Sequence, residues 1–408
     1  MSLVPPISLY SNNNFTIPTL EGSVVVWNMI YEPSNDSIIL AGQFTVSDGI
    51  TSHAFVKLDK YGGVQPHFRT DMIGGRGGNV IPIQDIYPSM GSRLDYILMT
   101  SEPVAQINLV DYPIMLSDYA GKKSTKATMA VNTTPSSNIY RDGCYVSLTD
   151  YYYIVGNFTY TTTDNYPTNN PTVKTNIMAL RYNGFDMFQV IGAFASTAVN
   201  DAIYGIRYCP ETDDLLVFGN FSTPEPMMLK IHKTTGAKKT WVGPGALVGG
   251  DELTYDYSDT INSIYIYPNG DILVAGNFYK DSSDPTLPRY MMKMDKDGVP
   301  YGSGDFLYYR TINGVSSVNV MHVIQYGVNI DKILVSEYNS IDGFYLSMIN
   351  SDGSLDATFD RPVFDFNRQV YSILSLKDGN ILIGGDFTTV NGVARNGLAL
   401  LDPTGTLL

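Results

Sequence analysis

The sequence predicts an all-β fold made of one unit repeated seven times. Three observations carry that expectation: a composition rich in strand formers, two landmarks that recur in fixed order, and turn residues at the end of each landmark. Tyr, Val, Ile, Thr and Phe suit a pleated, half-buried surface, and the 408 residues include 30 Tyr and 17 Phe. Apolar residues come in short bursts separated by turn signals, not at the 3.6-residue spacing of a helix.

The first landmark is a strand running into Gly, then Asn, Gln or Asp, then Phe. It reads "IILAGQF" (38–44), "YIVGNF" (153–158), "LLVFGNF" (215–221), "DILVAGNF" (271–278) and "NILIGGDF" (380–387). A weaker copy is "KILVSEY" (332–338), and "DYILMTSE" (95–102) is degenerate. The second landmark is an apolar strand ending at a turn glycine, as in "VKLDKYGG" (56–63), "MKMDKDG" (292–298) and "LALLDPTG" (398–405). Those glycines fall at 62, 121, 184, 236, 298, 353 and 405, a mean period of about 57 residues. Periods of this length signal stacked or radial repeats.

Each unit reads as four short strands. In the fifth, "INSIYIYP" (261–268) passes through Asn-Gly into "DILVAGNF", a tight hairpin signal. "RYMMKMD" (289–295) follows, then an Asp-Gly turn and a fourth strand around "VPYGSGDF" (299–306). The Gly before Asn-Phe is expected to mark a bulge or a close approach to the neighbouring sheet, and the Phe to pack between sheets. Four-stranded sheets repeated radially make a β-propeller. The expectation is one domain, 1–408, a seven-bladed β-propeller of four-stranded antiparallel blades at approximately 21–73, 79–133, 137–195, 201–248, 260–310, 316–364 and 368–408.

The seventh unit supplies only its first three strands, roughly 369–376, 380–387 and 396–402, before the chain stops. Residues 12–44 align with 356–387, placing Phe15 opposite Phe359. An open ring would expose two sheet edges, which invite aggregation. Residues 1–20 are therefore expected to pair as the closing strand of blade 7.

Charge narrows the partners. The net charge is −14, which opposes nucleic acid and anionic lipid. "SVVVWNMIY" (23–31) is too short to span a bilayer, and "MSLVPPISLYSNNNF" lacks the basic start and apolar core of an export signal. Cys144 and Cys209 make no disulfide framework or CxxC pattern and read as buried thiols.

The last unit, "DGNILIGGDFTTVNGVARNGLALLDPTG", resembles the delta-60 repeat, as does "INSDGSLDATFD" (349–360). The resemblance spans most of the chain and is sharpest in the seventh unit; the second departs from it, with Thr100-Ser101-Glu102 in place of Gly-x-Phe. It implies a β-propeller of the kind found in phage virion proteins and in bacterial surface or secreted proteins. The family shares no catalytic residues, so the resemblance transfers no chemistry.

A search for chemistry finds no GxSxG, HExxH or Walker-type loop. Of the four histidines, His53 and His232 fall in or beside third strands and His67 in a fourth; only His322 lies on an innermost strand. "DKDG" (295–298) echoes the start of a calcium loop without its remaining ligands and reads as a hairpin turn. No cofactor or metal is expected, and no catalytic residue.

Loops carry the remaining signal. The loop between strands two and three shares a face with the between-blade connectors, and rigid scaffolds often bind through such loops. The longest, "TYTTTDNYPTNNPTVKTN" (159–176), offers Tyr166, Asn169 and Asn170, whose rings and amides suit sugars or protein surfaces. An insertion with no task reads equally well. "GGRGG" (74–78) is a connector in which Arg76 is at most a surface contact, and the connector 241–259 brings Tyr255 and Tyr257 to the same face. Trp241 reads as either a face residue or a packing residue.

The expected function is a non-enzymatic structural or interaction β-propeller, a phage virion protein of tail, fibre or decoration type used in assembly or host-surface attachment. Expected partners are other virion structural proteins and a host-surface glycan or protein, with oligomerisation through the particle. An extracellular bacterial surface module and a propeller enzyme acting on carbohydrate are the alternatives.

Overall fold

The computed structural model describes residues 15–32, 36–46, 55–65, 77–82, 94–100, 114–118, 123–128, 139–146, 148–162, 165–166, 172–182, 188–195, 199–243, 260–279, 289–301, 306, 315–339, 343–366 and 368–408. Among them every regular element is a β-strand. The first sheet holds β1 (Leu20–Glu32), β2 (Ser37–Val46) and β3 (Phe55–Leu58); the second holds β4 (Gly77–Pro82), β5 (Leu94–Thr100), β6 (Ile114–Asp118) and β7 (Lys123–Thr128). The third is five-stranded: β8 (Ile139–Val146), β9 (Tyr151–Thr162), β10 (Asn165–Tyr166), β11 (Thr172–Tyr182) and β12 (Phe188–Ile191). The fourth to sixth are three-stranded: β13 (Ile203–Cys209), β14 (Asp214–Gly219), β15 (Met228–His232); β16 (Thr260–Ile266), β17 (Ile272–Tyr279), β18 (Arg289–Met294); β19 (Val315–Val323), β20 (Ile333–Asn339), β21 (Gly343–Ile349). The last combines β22 (Val370–Ser375), β23 (Ile381–Gly385) and β26 (Leu398–Leu401), with a separate hairpin of β24 (Thr389–Val390) and β25 (Val393–Ala394).

Successive first strands touch: β1 with β4, β4 with β8, β8 with β13, β13 with β16, β16 with β19, β19 with β22, and β22 again with β1. Buried clusters fill the spaces between neighbours. Phe387 and Val370 pack with Phe344, Leu346 and Leu334 of the sixth sheet, and Phe221 joins Leu215 to Tyr153 and Val155 of the third. The Phe of the first landmark is a packing residue between sheets, as its pattern predicts.

The landmark glycines have a steric cause nearer than the neighbouring sheet. A Cβ on Gly42 would stand 2.0 Å from the Val25 carbonyl oxygen, on Gly276 2.0 Å from that of Thr260, and on Gly385 2.1 Å from that of Gln369. Each clash is with the first strand of the same sheet, beside a bulge in that strand. The close approach to a neighbouring sheet belongs instead to Gly384, where a Cβ would meet Val26 Cγ1 at 2.7 Å.

Among the described residues, fourth strands are shorter than expected in five sheets, where isolated bridges stand for them: Leu58 with Val64, Ile231 with Lys238, Met294 with Pro300, Ile349 with Leu355 together with Tyr345 with Val363, and Leu401 with Leu407. A carboxylate turns the chain into that bridge. Asp295 Oδ1 accepts the Asp297 and Val299 amides, both at 2.9 Å, and Asp402 Oδ1 accepts those of Thr404 at 2.8 Å and Thr406 at 3.0 Å. The "DKDG" segment is thus a self-bonded turn.

A segment of the preceding unit latches each such turn. Ala195 N donates to Thr235 O at 2.7 Å, Val242 N to Asp297 O at 3.3 Å, and Asp360 N to Thr404 O at 2.7 Å. The residue before each is a buried aromatic: Phe194, Trp241 and Phe359. Trp241 is therefore a packing residue, its indole lying where a Cβ on Gly298 would meet Cε2 at 2.5 Å. In the first sheet the same latch is Phe15 with Thr16, whose N–H donates to Tyr61 O at 2.8 Å.

The expected closing strand over residues 1–20 falls largely outside the described residues. Residues 1–14 lie outside the described residues, 15–19 belong to no strand, and the described part docks on the first sheet. The last sheet completes its own bridge, with Leu408 N donating to Leu400 O at 2.9 Å. The three residues after Gly405 suffice for that bridge but supply no aromatic, and Phe15 stands at the position Phe359 occupies one unit earlier.

Three first hairpins share a further device. The hydroxyl of Tyr145 donates to Asp150 at 3.1 Å, that of Tyr208 to Asp213 at 2.6 Å, and that of Tyr31 to Asp36. The three aspartates have φ of 58°, 57° and 54°, a conformation Asp tolerates better than most residues. Each carboxylate also meets a cation: Arg181, Lys233 and Lys377 respectively.

Candidate interaction face

All seven first strands are bulged opposite the end of the second strand. The register slips between Val26 and Asn28, Gly77 and Asn79, Tyr140 and Asp142, Ile203 and Gly205, Ile261 and Ser263, Val318 and Val320, and Val370 and Ser372. The extra residues are Trp27, Gly78, Arg141, Tyr204, Asn262, Asn319 and Tyr371. Because successive first strands touch, these residues make a belt of register-equivalent positions.

Belt members meet across sheet boundaries. The rings of Trp27 and Tyr371 lie 4.5 Å apart at 43°, and the Arg141 guanidinium stands 4.6 Å from the Tyr204 centroid, a favourable cation–π distance. Asn262 Nδ2 donates to Val318 O at 3.0 Å, and Met29 N to Ser372 Oγ at 3.0 Å. Asp142 Oδ2 accepts from Ile206 N at 3.1 Å and from Arg207 Nη1. Arg207 is thereby held above its ordinary range: burial opposes its charge, but the Asp142 charge and hydrogen bond outweigh it.

The same end of the strands carries an exposed apolar patch. Val363, Phe366 and Val393 are 43%, 61% and 48% exposed, yet their backbone is pinned. Asp365 accepts from Thr388 N at 2.7 Å and Thr389 N at 2.6 Å, and from both threonine hydroxyls. Burial pushes its carboxyl up, but these bonds together hold it below the usual carboxylate range. Asn391 N donates to Val363 O at 2.8 Å, and Phe364 bridges Val390. The connector and the β24–β25 hairpin are thus one rigid piece.

Of the sequence-predicted binding residues, Arg76, Asn169, Asn170, Tyr255 and Tyr257 lie outside the described residues. Tyr166 is in β10, whose parallel partner is β12, with Tyr166 opposite Ile191. The insertion is largely strand, since β9 and β11 remain paired out to Thr162 and Thr172. Sequence reasoning missed the belt, whose only signal is register: the residue just after the one that faces the glycine position of the Gly-x-Phe landmark.

Histidine chemistry is structural where it is described. His322 Nε2 accepts from Ser375 N at 3.1 Å and lies 2.9 Å from Ser375 Oγ, joining the sixth and last sheets. Burial lowers its pKa to about 4. His232 Nδ1 accepts the Thr234 amide of its own turn at 3.2 Å; His53 and His67 lie outside the described residues. Cys144 and Cys209 are free, and burial pushes the Cys144 thiol up. Among the described residues no three His, Cys, Asp or Glu side chains gather as a metal site, and no helix is long and apolar enough to cross a membrane.

Residues 376–407 match a family described as a domain of unknown function (DUF5122) beta-propeller. Among solved structures, the chain is similar to the WD40 β-propeller domain of Doa1 at 10% identity, covering 77% of this chain and 92% of that one, with a TM-score of 0.36. It is also similar to a functionally unknown protein from Desulfotomaculum acetoxidans DSM 771 at 14% identity, covering 72% and 74%, with a TM-score of 0.39. No curated protein matches in sequence.

Proposed function

We propose that the chain is a seven-bladed β-propeller serving as a non-enzymatic interaction scaffold, a phage virion component of tail, fibre or decoration type used in assembly or host-surface attachment. The belt carries this reading. One backbone register offers rings, amides and a guanidinium from six of seven first strands, which are groups for contact. The cyclic contacts of the first strands, with β22 meeting β1, support seven blades closed on themselves. The virion assignment is supported by the resemblance of the last unit to delta-60 repeats.

The partners proposed are other virion structural proteins and a host-surface glycan or protein. The net charge of −14 argues against nucleic acid. The test is localisation: gold-labelled antibody against this chain, read by cryo-electron microscopy of particles and host cells. Label on particles is the expected result. Label confined to the bacterial surface would replace the virion reading with a bacterial surface module, and a free cytosolic protein would overturn both.

A further inference from the structure

We infer that the belt of first-strand bulges binds an uncharged oligosaccharide; this rests on the interaction-scaffold reading and names its ligand class. A bulge demands a backbone shape and no particular side chain. The residues before it are mostly aliphatic and buried, including Val26, Ile203, Ile261, Val318 and Val370. The belt position itself is Trp27, Arg141, Tyr204, Asn262, Asn319 or Tyr371, and never aliphatic. The bulge therefore does not dictate these side chains, and their shared character, beyond the pairings across sheet boundaries, points to a ligand.

That character is specific. Aromatic faces receive the C–H faces of sugar rings, while amide, phenol and guanidinium groups match hydroxyls. Tyr204 is half-buried, and its hydroxyl has no hydrogen-bond partner among the described residues. Asn319 Oδ1 accepts from Ser317 Oγ at 3.4 Å, which leaves its Nδ2 to donate. Gly78 contributes no side chain between Trp27 and Arg141.

Charge selects among sugars. The chain has 40 Asp and Glu against 26 Lys and Arg, yet no belt residue is a carboxylate. The nearby carboxylates are engaged: Asp142 with Arg207, and Asp386 with Arg368 at 3.4 Å and the Gln369 amide at 2.6 Å. A cationic ligand finds no open counter-charge, and a polyanion meets a net-negative protein with a single belt guanidinium.

The two tryptophans give a clean reporter, because Trp241 is packed under Gly298 and Trp27 is in the belt. The full chain carrying Trp241→Phe is titrated with maltohexaose, cellohexaose, chitohexaose and, as the anionic counterpart, hexagalacturonate. The expected result is saturable change in Trp27 emission with a neutral hexasaccharide at a Kd of about 1 mM or tighter. Tyr204→Ala and Asn319→Ala should each weaken it roughly tenfold; Asn319→Ala should leave the melting temperature unchanged, whereas Tyr204→Ala also removes packing on the core. Calorimetry on the unsubstituted chain gives the same readout should Trp241→Phe disturb folding. Absence of saturation with every neutral hexasaccharide, saturation with hexagalacturonate alone, or undiminished affinity in both alanine variants would overturn the inference. If sugar binding is absent while the chain still labels particles, only the ligand class falls; loss of both removes the scaffold reading too.

Discussion

Two joins in the molecule can be set side by side: that between the sixth and last sheets, where the chain runs through, and that between the last and first, where it does not. The continuous join uses the Phe359 latch, the His322–Ser375 contact and the Asp365 staple. The other uses the Phe15 latch, the Met29–Ser372 and Asn396–Leu20 hydrogen bonds, the Trp27–Tyr371 ring pair and the Lys377–Asp36 ion pair. The latch and the contact to the strand of the next sheet recur at both. What differs is the reinforcement. The loop face is stapled where the backbone is continuous, and the break relies on side chains, which shows that continuity of chain is not what holds neighbouring sheets together.

Breaking each join should rank them. The largest effect is expected from deleting residues 1–20, which removes the Phe15 latch together with Leu20; the melting temperature should fall sharply, and an unchanged value would contradict the latch. Next is Phe359→Ala, expected to cost about 3–5 kcal/mol as a large-to-small change in a packed core. Phe15→Ala should cost less, about 1–2 kcal/mol, because Phe15 is only half-buried. Denaturant titration of the two variants measures the difference directly, and equal losses would mean the two latches are energetically equivalent.

Smaller changes sharpen the contrast. Asp365→Ala leaves the Thr388 and Thr389 amides without their acceptor and should cost about 1–3 kcal/mol, with hydrogen exchange accelerating in 388–394. Lys377→Ala breaks a part-exposed ion pair and should cost about 1 kcal/mol or less, and less again at high salt.

Acid distinguishes the joins by pH range. His322 is lowered by burial from 6.5 to about 4, so the unfolded chain takes up a proton before the folded one. Its contribution is complete above about pH 6.5 and is lost as pH falls towards 4. Asp36 belongs to the other join. Burial raises its carboxyl, but hydrogen bonds from Lys377 and Tyr31 and the charges of Lys377 and Lys60 hold it below 3.8, so its contribution is lost only below that value. Stability should therefore decline in two stages, and His322→Gln should flatten the upper one in a pH series of thermal melts.

Much of the fold was legible because its steric demands repeat. A Cβ two ångströms from a carbonyl oxygen forces Gly at the same place in unit after unit, and an Asp-capped turn forces a second. Two units depart from this: Thr100 replaces that Gly in the second and Glu337 in the sixth, where β19 carries an additional bulge between Val315 and Ser317. The equivalence of Phe15 and Phe359 was visible in the alignment, but its meaning as a latch was not. The extent of the fourth strands was not legible, because the turn residues mark only where the chain returns, not how far it stays paired.

The belt was not legible for the opposite reason. A bulge constrains backbone alone, so Trp27, Arg141 and Asn262 share a position without sharing a residue type, and no repeat in the letters betrays it. The Tyr31–Asp36, Tyr145–Asp150 and Tyr208–Asp213 pairs have a constant spacing of five residues, but occur in too few units to stand out. Loop-based reasoning directed attention to a loop of which Tyr166 is described, on β10 at the edge of the third sheet opposite β8.

The latch from Phe15 onto the turn at Gly62 has a topological consequence. On the proposed closure of the seven blades, the aromatic that follows the last bridge arrives from the opposite terminus, and the order of units along the polypeptide is a matter of where the circle is cut. A gene rearranged to begin at the sixth unit, with a short linker joining Leu408 to the segment before Phe15, should yield the same circle of sheets with a new pair of ends.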